Sequence, residues 1–245
     1  MTETLDEDSG YWVCIAFYES LAGNLLIPHA VAWIAIIAAL VLFLAGCGSG
    51  QSNSQSNSGP QELFTEESWN FDEDSPGDPL AHAEVFSGTW KVRPESDAPS
   101  EPNALCQTGE AQFPALALSD EAYSDLAMTT SFKPISGEED QAAGLIFRVQ
   151  DEDNYYIVRT NALEDNVAIF KYVNGRRSEI ASESTAVEPG EWQELRVEVT
   201  GNKIRALLGE KQVVQATDDE FTSGRAGLWT KADSVTCFDN VLTET

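Results

Sequence analysis

The residues best equipped for chemistry lie between positions 142 and 180, in the run AAGLIFRVQDEDNYYIVRTNALEDNVAIFKYVNGRRSEI. Arg148, Tyr155, Arg159, Asn161 and Lys171 recur there at spacings that extended chains turn toward one side. Guanidinium, amide and ammonium groups donate hydrogen bonds, and a tyrosine ring offers a flat apolar face. Such a set suits a polyhydroxylated ligand such as a sugar; the alternative is a solvated outer sheet face. The whole chain has 14 Lys and Arg, so gathering several of them on one sheet favours recognition.

These groups would be carried on four successive antiparallel strands. Ala143, Leu145, Phe147 and Val149 alternate with Ile146, Arg148 and Gln150, the period-two pattern of a sheet with one buried side. Tyr156 and Val158 continue the apolar side. Ala168, Phe170 and Tyr172 alternate with Val167, Ile169 and Lys171, with the lysine row expected to face away from the core. Asn174-Gly175 then supplies the dipeptide that best tolerates the positive φ angles of a two-residue hairpin turn. Further strands are expected at 88–93, 104–108, 111–118, 125–133, 191–200, 203–208, 212–216, 225–230 and 234–242. Leu126, Met128, Thr130 and Phe132 form one inward row, Leu195, Val197 and Val199 another, and Gly201-Asn202 and Gly209-Glu210 mark two more hairpins. Helices are nearly absent, so the expected fold is all-β: a two-sheet antiparallel sandwich.

Composition narrows the function classes. Against 14 Lys and Arg stand 41 Asp and Glu, a net charge of -27, which repels nucleic acid and anionic headgroups. The same surface would keep a protein soluble in concentrated salt, although acidic exported proteins share the trait. The four cysteines, Cys14, Cys47, Cys106 and Cys237, contain no C-x-x-C pair, and with His29 and His82 they give zinc little to build on. No G-x-S-x-G occurs, which argues against a serine nucleophile of that type.

The chain divides at its N-terminal end. Residues 25–46, LLIPHAVAWIAIIAALVLFLAG, are apolar and nearly of bilayer-spanning length. Leu44-Ala45-Gly46-Cys47 resembles the lipobox of bacterial lipoproteins, which implies lipidation at Cys47 and removal of 1–46 as a signal peptide. The n-region departs from that pattern, because no Lys or Arg precedes Lys91. A plain membrane anchor with a chance cysteine is the alternative; either reading places the remainder in the cell envelope, facing periplasm or exterior. Residues 47–62 are a Ser, Gly, Asn and Gln linker without large apolar side chains until its end, and 63–245 form the folded domain.

GTWKV (88–92), SFKPISGEEDQAAGLIFR (131–148), DNYYIVRTNALEDNVAIFKYVNGRR (153–177), GEWQELRVEV (190–199) and GLWTKADSVTCFDNV (227–241) carry a family resemblance. The domain resembles the concanavalin A-like lectin/glucanase jelly roll, and more narrowly the 3-keto-disaccharide hydrolase domain family. That resemblance implies a concave sheet across which carbohydrate lies, with Tyr155 and Trp229 as stacking faces. Arg148, Arg159, Asn161, Lys171 and Lys231 would be its donors, and Asp233 would orient Lys231 or accept from a hydroxyl. It further implies that terminal strands are sheet neighbours, which would bring Cys106 and Cys237 together as a disulfide. Calcium is the one cofactor it raises, with Asp72, Asp74 and Asp239 as ligands; Asp239 could equally bond a neighbouring loop.

No catalytic residues can be assigned. The E-x-D-x-x-E arrangement of family 16 glycosidases is missing, and its longer form, Glu95, Asp97 and Glu101, sits among prolines and reads as chance. Glu138, Glu139, Asp140, Asp151, Glu152, Asp153, Glu164 and Asp165 all fall in expected turns, where carboxylates are commonly just solvated. The leading expectation is a membrane-anchored, carbohydrate-recognising lipoprotein with a glycoside-hydrolase-related sandwich. An active hydrolase of a modified disaccharide or glucan, and a non-catalytic adhesion module of the envelope, are its alternatives.

Overall fold

The computed structural model describes residues 65–78 and 80–245. The apolar segment, the lipobox with Cys47 and the Ser/Asn/Gln-rich linker lie outside the described residues. No helix among the described residues is long and apolar enough to cross a membrane.

In chain order the strands are β1 (Glu66–Trp69), β2 (Glu84–Ser87), β3 (Trp90–Pro94), β4 (Asn103–Gln107), β5 (Ala115–Ala117), β6 (Leu126–Ser136), β7 (Ala142–Asp151), β8 (Asn154–Asn161), β9 (Asn166–Val173), β10 (Arg176–Ser184), β11 (Gln193–Thr200), β12 (Lys203–Leu208), β13 (Lys211–Thr217), β14 (Arg225–Trp229) and β15 (Val235–Glu244). They form two antiparallel sheets. The first runs β13-β12-β11-β6-β15-β4-β3, with β1 also on β15, and the second runs β10-β9-β8-β7-β14-β5-β2. The sandwich expected from alternation is present; β1 and β2 were not foreseen, each offering only four residues with no clear period.

Between the sheets lies one core. Leu126, Met128, Phe132, Leu195, Val197, Val199, Ile204 and Phe238 face it from the first sheet. Leu145, Phe147, Tyr156, Val158, Val167, Ile169 and Leu228 face it from the second. At about 1.5–3 kcal/mol for each large side chain withdrawn from water, this core is the main force opposing chain entropy.

Two expectations about strand faces need correction. Val167 and Ile169, not Phe170 and Tyr172, belong to the inter-sheet core, because β9 pairs with β8 so that Lys171 lies opposite Tyr156 and Tyr172 opposite Tyr155. On β7, the ladder jumps from Phe147↔Tyr156 to Asp151↔Asn154, a bulge in which Arg148 takes a φ of 50°. The extra residues reverse the phase, as bulges do. Val149 therefore joins the outer face with Ile146, and Arg148 leaves it.

The two cysteines of the domain meet in the first sheet. Cys237 of β15 sits opposite Cys106 of β4, with Cα atoms 4.0 Å apart and a disulfide between them. Both sulfurs are fully buried beside Ala98 and Ala104.

Candidate carbohydrate-binding site

The outer face of the second sheet is covered rather than open. Its floor is Ala142, Ile146, Tyr155, Ile157, Ala168, Phe170 and Trp229, and Phe86, Phe113 and Tyr172 pack on top. Trp229 has room for its indole because its partner on β7 is Gly144, where a Cβ would stand 3.2 Å from Trp229 Cε3 and 3.0 Å from a backbone carbonyl. Phe113 comes from the loop before β5. Its ring stacks on Trp229 at 5.6 Å and meets Tyr172 edge-on at 5.6 Å, so one aromatic side chain bars the middle of the face.

Consequently Trp229 and Tyr155, at 0 % and 1 % exposure, are the base of the aromatic plate and do not present flat faces to solvent. Burial also drives the Tyr155 phenol well above its ordinary range. The rings that remain half-buried on this face are Phe113 and Tyr172, neither of which is a stacking candidate from the sequence.

The cation at the centre is Arg177. The Asn174-Gly175 turn, with φ angles of 50° and 73°, sets a register in which Arg177 of β10 pairs with Tyr172, itself paired with Tyr155. One cross-strand ladder thus carries two tyrosines and an arginine on one face. The Arg177 guanidinium lies 4.6 Å from the Phe170 ring, 4.8 Å from Phe113 and 5.7 Å from Trp229. Desolvation and the neighbouring Arg159 guanidinium lower its affinity for the proton. Among the described residues it forms no ion pair, and its buried Nη1 has no hydrogen-bond partner. Among the described residues this half-buried guanidinium is therefore met by aromatic rings and not by a carboxylate.

Beside Arg177 stands a second polar group of residues built on Asp140. Its Oδ1 accepts from Asn161 Nδ2 at 2.7 Å and from Lys231 Nζ at 2.9 Å, while Oδ2 lies 2.7 Å from the same ammonium. Asp233, expected to orient Lys231 or to accept from a hydroxyl, makes no hydrogen bond or ion pair to Lys231 among the described residues. Its carboxylate accepts the backbone N–H groups of Glu138, Glu139 and Asp140 at 2.5–3.2 Å, fixing the turn that carries Asp140. Those backbone donors hold the Asp233 carboxyl below its usual range, so it stays ionised. Phe113, Arg177, Lys231, Asp140, Asp233 and Glu138 thus line a cleft of about 700 Å³, within the range typical of small-molecule sites.

Of the residues singled out from sequence, Asn161, Lys231 and Asp233 come together here. Arg159 lies beneath them at 2 % exposure, donating to Glu164 at 2.8 Å and Asn166 at 2.6 Å and resting 5.4 Å from the Phe170 ring. It braces the floor and does not line the cleft.

Arg148 and Lys171 are elsewhere. The bulge turns Arg148 to the end of the sandwich, where it donates to the carbonyls of Ser124, Phe221 and Gly201 at 2.6–3.1 Å. Lys171, on the Tyr156 side of β9, pairs with Asp218 at 2.8 Å and Glu220 at 3.3 Å. Asp218 also accepts from Tyr156, whose phenol is pushed up to about 12 by burial and then by that bond. These two bases hold loops and do not line the cleft around Arg177.

Among the described residues Asp72, Asp74 and Asp239, the expected calcium ligands, do not gather three carboxylates within 4.8 Å of one another. The buried Asp239 carboxylate accepts from Ser100 N and Oγ at 2.7 and 2.9 Å and from Asn240 N at 2.7 Å. Asp72 and Asp74 contribute backbone carbonyls to the Asn103 amide at 3.3 and 3.2 Å. Among the described residues, the acidic or thiol side chains that converge within 4.8 Å are Glu95, Cys106 and Cys237, and the disulfide occupies both sulfurs. Glu95 and Asp97 pair with Lys133 on the other sheet, away from the cleft.

Comparison with known proteins fits this architecture. The chain is 29% identical over 163 residues to levanase of Bacillus subtilis (strain 168), an alignment covering 65% of this chain and 22% of that protein. It therefore spans about a fifth of the length of that relative. The carbohydrate binding module CBM66 of Bacillus subtilis superposes with a TM-score of 0.56 at 26% identity, covering 67% of this chain and 96% of the module. A sialidase shares the fold alone, with a TM-score of 0.52 and 9% identity over 73% of this chain and 18% of its own. The domain is a β-sandwich of the carbohydrate-binding or glycoside-hydrolase-related type. Residues 60–242 match the family described as the 3-keto-alpha-glucoside-1,2-lyase-like domain, and the chain belongs to that family.

Proposed function

We propose that this protein is a lipid-anchored envelope protein whose sandwich recognises carbohydrate in the cleft between Phe113, Arg177 and Lys231. The observation that carries this reading is Arg177: a desolvated guanidinium on an aromatic plate, without an acidic partner among the described residues, lining an open cleft. A pyranose or furanose ring lays its C–H face on Phe113, while its hydroxyls accept from Arg177 and Lys231 and donate to Asp140. The likeness to a carbohydrate binding module, and to a levanase over a minor part of that enzyme, supports the same reading. Calorimetry of the purified protein against a glycan panel that includes levan tests it. Saturable binding of at least one glycan is expected, and absence of binding across the panel overturns it.

Catalysis is the second reading, favoured by the lyase in the family description and by the Lys231–Asp140 pair within the cleft. Release of reducing or unsaturated sugar from a bound glycan, lost in Asp140→Asn, would establish it; binding without turnover leaves the first reading in place. For the anchor, Cys47 becomes the acylated N-terminus and 1–46 are removed. Intact mass spectrometry of the membrane fraction checks this, and an N-terminus upstream of Cys47 contradicts it.

A further inference from the structure

On the other side of Phe113 the same face holds a second hollow, of about 200 Å³, walled by Phe86, Phe113 and Tyr172 and edged by Glu152 and Asp153. It shares Gln112 and Phe113 with the main cleft, so the two are neighbours divided by one loop. Its volume falls below the ~300 Å³ at which whole small-molecule sites begin. It is suited to one ring of a longer ligand.

The hollow is built, and not merely left over. The Tyr172 ring packs on Tyr155 at 5.0 Å and on the Phe113 edge at 5.6 Å, which fixes its orientation. The acidic turn between β7 and β8 is clamped to the Asn174-Gly175 turn: Asn174 N donates to Asn154 Oδ1 at 3.0 Å and Gly175 N to Asp153 O at 3.2 Å. A Cβ on Gly175 would stand 3.3 Å from Asp153 Oδ1 and 4.0 Å from the Tyr172 hydroxyl, so this carboxylate and this phenol flank the same turn. An aromatic ring beside two carboxylates is an acceptor-rich lobe, in contrast to the cation-bearing lobe around Arg177.

We propose that this hollow is a second sugar subsite. The ligand crosses Phe113, placing one unit against Arg177 and Lys231 and the next against Tyr172, where its hydroxyls donate to Glu152 and Asp153. That second unit is uncharged, because an acidic unit would face two exposed carboxylates. The proposal rests on the reading of the main cleft as a sugar site.

The test is calorimetry of the full protein with matched mono- and disaccharides, with fructose and levan oligosaccharides of two and three units among them. Parent, Tyr172→Ala, Asp153→Asn and Arg177→Met are compared. The disaccharide should bind at least tenfold more tightly than its monosaccharide. Asp153→Asn should remove that gain while leaving monosaccharide affinity unchanged, Tyr172→Ala should remove the gain as well, and Arg177→Met should weaken both ligands. Asp153 is an exposed turn residue, so its variant keeps the test decisive if Tyr172→Ala fails to fold. Equal affinity for both lengths, or a gain that survives both substitutions, overturns the second subsite and leaves the cleft reading intact. No binding of any sugar overturns the cleft reading and this proposal with it.

Discussion

Replacing Arg177 by Met should separate binding from stability. The guanidinium is half-buried, is disfavoured there by desolvation, and satisfies no carboxylate among the described residues. Its contribution to the fold is contact with three rings, about 0.5–2 kcal/mol by cation–π attraction. Met keeps an unbranched stem in the same place and recovers ~0.3–1.5 kcal/mol through sulfur–aromatic contact. Relief of desolvation offsets much of the remainder. The net change in stability should stay within ~1 kcal/mol, a shift of about 2–4 °C in Tm for a domain of this size. Binding loses charge-assisted hydrogen bonds of ~1.5–3 kcal/mol, and at ~1.4 kcal/mol per tenfold this raises Kd by about 10- to 150-fold. Differential scanning calorimetry and titration calorimetry on the same preparation read both quantities. Unchanged affinity would refute the assignment, as would a Tm loss of about 10 °C or more, which would make Arg177 a structural residue.

Three further outcomes follow from the packing. Cys106→Ala together with Cys237→Ala should cost ~2–4 kcal/mol in denaturant unfolding, since the bond closes a 131-residue span; no loss would mean the disulfide contributes nothing to the fold. Arg148→Ala leaves three carbonyls without their donor and should cost ~2–4 kcal/mol, while the protein that remains folded binds sugar as the parent does; weakened binding at full folding would return Arg148 to the ligand face. Arg159 holds Glu164 below its ordinary value of 4.5, so this pair stabilises the fold above that pH and the contribution is lost as the pH falls through the folded-state value. Glu164→Gln should therefore flatten the acid limb of the stability profile below about pH 5, and a limb identical to the parent's would contradict the pairing. Asp239, raised by burial, acts with the opposite sign, favouring the fold when protonated and opposing it as the pH rises.

The sheets were legible because alternation and turn dipeptides are local signals, and Lys203–Leu208 was expected with those same ends. The site was less legible because both faces of the second sheet are buried. Tyr155, Ile157 and Phe170 pack under Phe113 on one side while Tyr156, Val158 and Ile169 fill the core on the other. Alternation cannot assign faces when both are apolar, and the bulge at Arg148 shifts the phase without any Gly or Pro at that position to announce it. Phe113 reaches the plate from a loop, and that contact is set by tertiary folding alone. Arg177 could have been found: a two-residue turn at 174 and 175 pairs 172 with 177, and extending that register to Tyr155 places all three on one face. In the sequence Asp140 is indistinguishable from the solvated turn acids around it, and only its buried contacts with Asn161 and Lys231 set it apart.

The most direct measurement is a structure of the protein bound to the tightest glycan found in the panel. A sugar ring is expected on Phe113 with hydroxyl oxygens within hydrogen-bond distance of Arg177 and Lys231. A glycan seated on the first sheet or at the end of the sandwich near Arg148, away from those three side chains, would contradict it.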